Sequence, residues 1–570
     1  MDYKEVYREW IQNSFFDKDT IKELKSIEND EDEIKDRFYK ELEFGTAGLR
    51  GKIGAGTNRM NVYNISKVTQ GLAYYILKQG KNYAERGVVI AFDCRHFSKE
   101  FAKTAALVLC ANGIKTYLFE DLRPTPELSF AVRKLHASSG IVITASHNPK
   151  EYNGYKVYWE DGAQILSSIS DAVLKEISGI KNFEDVKIMK EEKALKSGLL
   201  NIIGKETDDE YIKKVKELSI RDDIDKDIKI VYTPLNGAGN IPVRRVLKER
   251  GFNNIIVVPE QENPDPDFTT VGYPNPEDTK AFKYSENLGK KTGAELLIAT
   301  DPDSDRLAIE VRDRHGDYIS FNGNQTGAVL VNYICEGLKQ KGNMPSKPAI
   351  VKSIVTSDLG KIIAESYGVK TFESLTGFKN ICGREPELEK SGYSFIFGYE
   401  ESIGYVRGTF VRDKDGISTA MLLCEAAAYY KTQGKSLIDV LNDIYKKYGY
   451  YREKPIAVIL EGIEGKDRIE KMMAAYRKDF PREIGGVKLV KYIDYDEGTE
   501  HDLTTGQNCK SEIPKSNVLR FFLEDGSWYA VRPSGTEPKI KIYIYSNGKS
   551  IEESDNKLEV MKDVIMKKLF

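Results

Sequence analysis

The stretch Thr-Ala-Ser-His-Asn-Pro places a hydroxyl, Ser146, beside an imidazole, His147. It follows Gly-Ile-Val-Ile, a β-branched run that predicts a short buried strand. Pro149 disfavours helical geometry at Asn148, so the strand must end here in a loop. Ligands of open α/β sheets bind at the carboxyl ends of strands, which makes Ser146 and His147 candidate catalytic residues. Taken alone, the stretch is also compatible with a polar turn that faces water.

A second polar stretch, Asp-Pro-Asp-Ser-Asp-Arg, follows another apolar strand candidate and contains Asp301, Asp303 and Asp305. In an extended loop these three carboxylates converge on one cation, and hard oxygen ligands suit Mg²⁺. An EF-hand is excluded, because its sixth and twelfth positions require Gly and Glu, where this chain has Arg306 and Arg312. Two alternatives stay open: a solvated acidic turn, and a phosphatase of the haloacid dehalogenase type with Asp301 as its nucleophile.

Other polar loops contain groups that can hold phosphate or sugar hydroxyls. Arg50 lies among three glycines, and its guanidinium can form two parallel hydrogen bonds to a phosphate. Glu400 and Ser402, in Gly-Tyr-Glu-Glu-Ser-Ile-Gly, can hydrogen-bond sugar hydroxyls. Arg532 begins Arg-Pro-Ser-Gly-Thr, where a guanidinium, two hydroxyls and backbone amides form a candidate anion site. Lys156 follows the Ser146 stretch closely enough to return to it, although an ordinary surface lysine is the alternative.

Strand and helix patterns alternate around these loops in three successive β-α-β-α-β units. We therefore expect three related doubly wound α/β domains, each with a mainly parallel sheet, and a C-terminal α+β domain, arranged around one central cleft. Residues 1–40 are predicted to form helices that wrap the first domain. The predicted domains are the N-terminal extension with the serine-loop α/β domain, 1–206; the metal-loop α/β domain, 207–322; the sugar-recognition α/β domain, 323–455; and the C-terminal phosphate-binding domain, 456–570.

The composition is that of an ordinary globular protein of 570 residues. Its 85 basic and 88 acidic residues give a net charge of −3, so neither nucleic acid nor an anionic membrane is a predicted partner. No apolar run approaches the roughly 18 residues of a membrane span, and the N-terminus lacks the apolar segment of a secretory signal. Six scattered cysteines show no spacing for zinc or disulfides. A cytoplasmic location with reduced thiols is expected.

Four motifs in this order, Thr-Ala-Ser-His-Asn-Pro, Asp-Pro-Asp-Ser-Asp-Arg, Glu-Glu-Ser-Ile-Gly and Arg-Pro-Ser-Gly-Thr-Glu-Pro, resemble those of the α-D-phosphohexomutase family. The likeness covers nearly the whole chain, and within the family it is to the branch of bacterial α-phosphoglucomutases and animal phosphopentomutases. It implies an intramolecular phosphotransferase that interconverts glucose 1-phosphate and glucose 6-phosphate through a phosphoserine. Glucose 1,6-bisphosphate would be its intermediate and activator. Phosphomannomutase and phosphopentomutase activity remain alternatives, and the oligomeric state is not indicated.

The resemblance also implies roles for individual residues. Ser146 would carry the phosphate and bind Mg²⁺ together with the three aspartates. The reacting centre would be lined by Arg50, His147, Lys156 and Lys379, with Lys156 a candidate general acid/base. The sugar phosphate would be bound by Arg306, Glu400, Ser402, Arg532, Ser534, Gly535 and Thr536. Lys150-Glu151-Tyr152 and Tyr399 depart from the pattern of many members, which leaves the choice between hexose and pentose open.

Overall fold

The computed structural model describes residues 2–45, 48–460, 463–534 and 539–570. The chain forms two compact units. The first contains the residues up to Gly323 together with Ser402–Ser436, and the second contains Asn324–Glu401 and the residues from Leu437 onward. In the part of the chain that the structure describes, no helix has the length and apolar content needed to cross a membrane.

Three short helices precede the first sheet: α1 (Tyr3–Gln12), α2 (Lys18–Ser26) and α3 (Glu31–Phe38). An aspartate side chain caps the N-terminus of each helix by accepting a hydrogen bond from a backbone amide of its first turn. The three capping residues are Asp2, Asp17 and Asp30. Their inner faces bury aromatic side chains, with the rings of Trp10 and Phe16 stacked at 4.1 Å. The helices predicted for the N-terminal residues are confirmed.

The first α/β domain contains β1 (Gly48–Lys52), α4 (Val62–Lys78), α5 (Lys81–Arg86), β2 (Val88–Phe92), α6 (Ser98–Ala111), β3 (Thr116–Phe119), α7 (Thr125–Lys134), β4 (Ser139–Ile143), β5 (Tyr152–Trp159), α8 (Ser167–Gly179), α9 (Glu191–Lys196) and β6 (Leu200–Ile203). A single 3₁₀ turn lies at Phe183–Asp185. The strand order is β1-β5-β4-β2-β3-β6. The central strands β2 and β4 are buried throughout, as their continuous apolar runs predict.

The second α/β domain contains α10 (Lys205–Glu217), β7 (Ile230–Thr233), α11 (Asn240–Glu249), β8 (Ile255–Val257), α12 (Pro259–Glu262), a 3₁₀ turn (Thr279–Phe282), α13 (Lys283–Thr292), β9 (Leu296–Thr300), β10 (Leu307–Arg312) and β11 (Tyr318–Phe321). The strand order is β11-β10-β9-β7-β8. Strand β9 is buried along its whole length and ends at the aspartate loop, as predicted.

The third segment contains α14 (Gly323–Gln340), β12 (Pro348–Ser353), α15 (Leu359–Ser366), β13 (Lys370–Ser374), α16 (Phe378–Gly383), α17 (Glu385–Lys390), β14 (Ser394–Glu400), β15 (Gly404–Val406), α18 (Gly416–Lys431) and α19 (Leu437–Tyr448). Strands β13, β12 and β14 are parallel. Strand β15 and helix α18 belong to the first unit, where α18 is almost entirely buried and packs against α11, β9 and β10.

The C-terminal domain contains β16 (Tyr450–Ile459), α20 (Ile463–Lys478), β17 (Glu483–Ile484), β18 (Val487–Asp494), β19 (Thr499–Asp502), β20 (Asn508–Lys510), β21 (Leu519–Leu523), β22 (Trp528–Pro533), β23 (Lys539–Gly548) and α21 (Ile551–Leu569). Its sheet is antiparallel, in the order β16-β23-β22-β21-β18-β19-β20, with β17 beside β18. The α+β class predicted for this domain is confirmed.

Three of the five strand pairings in the first sheet are parallel, as expected of a mainly parallel sheet, whereas the second sheet has two parallel and two antiparallel pairings. Two expectations about local structure are wrong. Arg50 was expected on a loop but lies on β1. Glu400 was expected on a loop, but β14 continues through it, because its backbone keeps strand pairing beyond the apolar run. The residue boundaries predicted for the four domains remain predictions.

Candidate active site

Ser146 lies in the loop between β4 and β5 with a φ of 53°, a left-handed conformation that is uncommon for residues other than glycine. Its backbone amide donates to Thr144 Oγ1 at 2.8 Å. Its hydroxyl donates to Asp301 Oδ2 at 2.7 Å and lies 3.2 Å from Nδ1 of His147. Strained backbone of this kind concentrates at functional sites. The turn therefore directs the serine hydroxyl at the aspartate loop of the second domain.

The aspartate loop joins β9 to β10 and brings its three carboxylates together. Asp301, Asp303 and Asp305 are buried, and one oxygen of each lies within 4.8 Å of the others. The loop is held by backbone contacts: the Ser304 amide donates to Asp301 O at 2.9 Å, and the Arg306 amide donates to Asp301 Oδ1 at 2.9 Å. Both carboxylate oxygens of Asp301 thus accept hydrogen bonds.

Lys156 on β5 contacts two of these carboxylates. Its ammonium lies 2.8 Å from Asp303 Oδ2 and 3.7 Å from Asp305 Oδ2. Burial alone would lower the pKa of Lys156, but the two carboxylates outweigh it and raise the pKa above its usual value. Lys156 is therefore held in its charged form. The interpretation of this residue as a surface lysine is wrong.

Arg50 reaches the Ser146 loop from β1, which is the antiparallel neighbour of β5. In the register of this pair Gly48 lies opposite Lys156, and a Cβ on Gly48 would come within 1.9 Å of the Tyr155 carbonyl oxygen. Glycine at this position therefore permits the close approach that brings β1 beside the serine loop. The Arg50 guanidinium donates to Asn148 Oδ1 at 3.3 Å.

His147 is surrounded by cationic groups. Burial, together with the guanidinium groups of Arg306 and Arg50, lowers the pKa of His147 from 6.5 to about 2. The imidazole is consequently neutral at physiological pH and can donate from one nitrogen and accept at the other. The ring of Tyr273 lies edge-on to it at 6.1 Å.

The carboxylate cluster fits a divalent cation. Asp303 Oδ1 and Asp305 Oδ1 are both buried and have no hydrogen-bond partner. Such orphaned oxygens cost stability unless a positive group satisfies them. The donors are all oxygens, which is the set that hard cations such as Mg²⁺ prefer. The predicted ligand geometry is thus compatible with a metal site at Asp301, Asp303 and Asp305.

The remaining predicted site residues are distributed over both units. Ser402 lies in the first unit, in the turn before β15. In the second unit Lys379 is the second residue of α16, and burial lowers the pKa of its ammonium. Glu400 is the buried last residue of β14. Tyr399 is also buried, with its ring against Gly327 and Gly360 in the domain core, so it does not bear on the width of a sugar site.

The predicted anion loop begins at the end of β22. In the antiparallel register of β22 and β23, Arg532 lies opposite Lys541. The Ser534 amide donates to the Lys539 carbonyl oxygen at 2.7 Å. Gly535 and Thr536 lie outside the described residues.

Models of the phosphoglucomutase/phosphomannomutase family match four successive segments of the chain. They are α/β/α domain I at residues 41–184, domain II at 209–316, domain III at 322–448 and the C-terminal domain at 466–553. The chain belongs to this family, the α-D-phosphohexomutases. The predicted family and four-domain architecture are confirmed.

Individual relatives agree with the family assignment. A phosphoglucomutase of Staphylococcus epidermidis is 39% identical over 535 residues, covering 94% of this chain and 95% of the relative. The fold is similar to that of pp63/parafusin (phosphoglucomutase) from Paramecium, with a TM-score of 0.70 and 19% identity over 93% of this chain and 95% of the other. A putative phosphomannomutase from Thermus thermophilus gives a TM-score of 0.68 and 22% identity, covering 92% and 99% of the two chains. This phosphohexomutase is an enzyme of the isomerase class, an intramolecular phosphotransferase.

Sequence reasoning missed Lys414, a charged residue that contacts the aspartate loop. Its ammonium lies 3.1 Å from Asp305 Oδ2 and 3.3 Å from Asp413 Oδ1. The segment is fixed at the N-terminus of α18, which Asp415 caps, and the Gly416 amide donates to the Ser304 carbonyl oxygen at 3.1 Å. A signal was present: the run Arg-Asp-Lys-Asp directly precedes a long apolar helix, where charges must be paired if they are buried.

Proposed function

We propose that this phosphohexomutase is an α-phosphoglucomutase that uses Ser146 as its phosphoryl carrier. It would interconvert glucose 1-phosphate and glucose 6-phosphate through a glucose 1,6-bisphosphate intermediate. The observation that carries the proposal is the strained Ser146 turn, whose hydroxyl lies 2.7 Å from an oxygen of the buried aspartate cluster. The phosphoglucomutase relative at 39% identity supports glucose as the sugar.

The chemistry is a pair of phosphoryl transfers. Phosphorylated Ser146 would donate its phosphoryl group to a free hydroxyl of the sugar phosphate, breaking the bond to Oγ and forming a bond to the sugar oxygen. In this exchange the charged Lys156 is the candidate acid that protonates Ser146 Oγ, and once neutral it would be the base that accepts the proton of the sugar hydroxyl. The bisphosphate would then return its other phosphate to Ser146. Such transfers depend on positioning and charge stabilisation rather than on covalent chemistry by the protein.

Charge stabilisation would come from cations around the serine phosphate. A bound Mg²⁺, held by Ser146 and by Asp301, Asp303 and Asp305, would neutralise charge on the phosphoryl oxygens. The ammonium groups of Lys156 and Lys414, which contact Asp303 and Asp305, would offset part of the remaining negative charge. Arg50 and neutral His147 would contact the transferred group.

Recognition of the sugar phosphate is assigned to the residues that the family resemblance implies. We propose that Glu400 and Ser402 bind sugar hydroxyls, that Lys379 and Arg306 contact the phosphorylated substrate, and that the loop at Arg532 holds the distal phosphate. Ser534, Gly535 and Thr536 would complete that anion site. None of the six cysteines, all of which lie in the described residues, forms a disulfide, which is compatible with a cytoplasmic location.

A phosphatase with Asp301 as nucleophile is the competing function. It would need a carboxylate oxygen free to attack phosphorus. Asp301 is instead fully buried, and its two oxygens accept hydrogen bonds from Ser146 Oγ and from the Arg306 amide. This arrangement favours the serine as the attacking group.

The location of the phosphate distinguishes the two functions. Peptide mass spectrometry of the purified enzyme, after incubation with glucose 1,6-bisphosphate, is expected to find an acid-stable phosphate on Ser146. An acid-labile phosphate on Asp301 would contradict the mutase proposal. Rates on glucose 1-phosphate, mannose 1-phosphate and ribose 1-phosphate then test the sugar, and glucose 1-phosphate is expected to give the highest kcat/KM.

The distal phosphate site gives a separate prediction. Arg532→Ala removes a charge-assisted hydrogen bond of roughly 1.5–3 kcal/mol, so kcat/KM should fall about 10–100-fold with either glucose phosphate. The variant should also require more added glucose 1,6-bisphosphate, because the intermediate escapes more often. Arg452→Ala, in the same sheet but already paired with Asp555 at 2.7 Å, is the matched control and should retain wild-type kinetics. Unchanged kinetics in Arg532→Ala would remove this loop from the substrate site.

A further inference from the structure

The side chain of Arg95 lies buried beneath the Ser146 loop, where its guanidinium donates to four main-chain carbonyl groups. It contacts Ser146 O at 2.6 Å, Pro149 O at 2.8 Å and Tyr152 O at 3.1 Å, and it also donates to Asn148 O. The side chain is 0% exposed. A single side chain thus joins three points of the loop that carries the proposed nucleophile to the first residue of β5.

Two groups from different domains hold the guanidinium itself. Asp93 directly follows β2, and its Oδ2 lies 3.2 Å from Nε of Arg95. Its Oδ1 accepts hydrogen bonds from the Arg95 amide at 2.9 Å and from the Ser98 hydroxyl at 2.7 Å. From the second domain, the buried Phe268 ring lies 5.0 Å from the guanidinium carbon. Phe268 has a φ of 46°, so its backbone is in the left-handed region as well.

Phe268 belongs to the acidic, proline-rich loop between α12 and the 3₁₀ turn, residues 263–278, which none of the roles assigned above uses. Asp267 of this loop contacts two residues of the first domain. Its Oδ1 lies 3.1 Å from Lys150 Nζ and 3.3 Å from His96 Nε2. Lys150 directly follows the serine motif. The proline-rich loop therefore supports Arg95 on one side and contacts the serine loop on the other.

We infer that Arg95 is a positioning residue for phosphoryl transfer at Ser146, an inference that rests on the proposed function. Ser146 is not glycine, so its left-handed φ costs on the order of 1–3 kcal/mol and persists only if surrounding contacts enforce it. The guanidinium supplies those contacts with a rigid, planar set of donors. Without them the loop relaxes and the Ser146 oxygen turns away from Asp301.

A lysine at this position tests the inference, because it keeps the positive charge but has a single ammonium that cannot reach four carbonyl groups. Arg95→Lys is expected to lower kcat about 100-fold, the typical effect of a misplacement near 1 Å, with KM unchanged because Arg95 does not contact the substrate. The ³¹P NMR signal of the phosphoserine should also shift or broaden.

Arg59→Lys is the matched control. Arg59 is also buried, at 3% exposure, and donates to the Asp36 and Asn58 carbonyl oxygens at 3.3 and 3.1 Å, but it lies between β1 and α4 and its side chain contacts α3. Both variants lose several hydrogen bonds from a buried guanidinium. If Arg95 had a purely structural role, the two variants should therefore show similar changes in melting temperature and in kcat. We expect the melting temperatures to change alike and kcat to fall only in Arg95→Lys.

Equal kcat in the two variants overturns the inference but leaves the proposed function standing, provided that the wild-type enzyme carries phosphate on Ser146. Absence of that phosphate in the wild type overturns the proposed function and the inference together. If Arg95→Lys does not fold, Phe268→Leu tests the inference instead, because it removes the aromatic ring against which the Arg95 guanidinium packs. That variant should lower kcat several-fold at constant KM, and an unchanged kcat overturns the inference.

Discussion

Ser146→Ala is expected to lower kcat by roughly 10⁴-fold or more, because it removes the only atom proposed to carry the phosphoryl group between the two sugar oxygens. The loss should not depend on the concentration of glucose 1,6-bisphosphate, since no acceptor remains for its phosphate. Stopped-time assays in both directions, with glucose 1-phosphate or glucose 6-phosphate as substrate, measure the effect.

The matched control is Ser139→Ala at the start of β4, the strand that precedes the Ser146 loop. Ser139 is buried and donates to the Tyr158 carbonyl oxygen at 2.7 Å, so this variant loses a hydrogen bond of about 0.5–1.5 kcal/mol without touching the nucleophile. It should keep kcat within about twofold of wild type. Turnover by Ser146→Ala at a rate near that of Ser139→Ala would exclude a phosphoserine mechanism.

The core of the site could be predicted because each part is local in sequence. Ser146 follows an uninterrupted β-branched strand and precedes a proline, so its place at a strand end needs no tertiary information. The three aspartates alternate after another such strand, and their spacing alone brings the carboxylates together. In both loops the backbone that positions the side chain is contiguous with the motif.

The residues that surround this core could not be predicted in the same way. Lys414 reaches Asp305 only because α18 packs against β9 and β10, far away in the sequence. Arg50 was expected on a polar loop, and the glycines of Gly-Leu-Arg-Gly-Lys are unfavourable in strands. Pairing with β5 overrides that propensity, because the glycine at position 48 allows the two backbones to approach. Arg95 acts on main-chain carbonyl groups, and sequence patterns contain no signal for such contacts.

Removal of divalent metal is expected to abolish turnover, and Mg²⁺ should restore it. The three carboxylates already lie within 4.8 Å of one another, and a phosphoserine beside them adds about −1.5 to −2 charges at neutral pH. Lys156 and Lys414 contact this cluster and Arg50 and Arg306 lie near it, but these four positive charges do not fully balance the three carboxylates and the phosphate. Like charges at this separation repel a further phosphate, so the substrate should not bind productively without a cation. Activity after EDTA treatment and gel filtration, followed by Mg²⁺ titration, measures the dependence.

A single ligand substitution makes this prediction specific to the aspartate cluster. Changes to groups that merely support a metal ligand cost about 10–100-fold in metal affinity, so Asp303→Asn should raise the Mg²⁺ concentration for half-maximal activity at least tenfold. Calorimetric Mg²⁺ titration should show the same loss of affinity without any substrate. Asp494→Asn is the control, because Asp494 is equally buried but is paired with Arg477 at 2.9 Å in the C-terminal domain. Full activity in metal-free enzyme, or equal Mg²⁺ dependence of the two variants, would remove the metal from the three aspartates and leave Lys156, Lys414 and Arg50 as counter-charges to the phosphoserine.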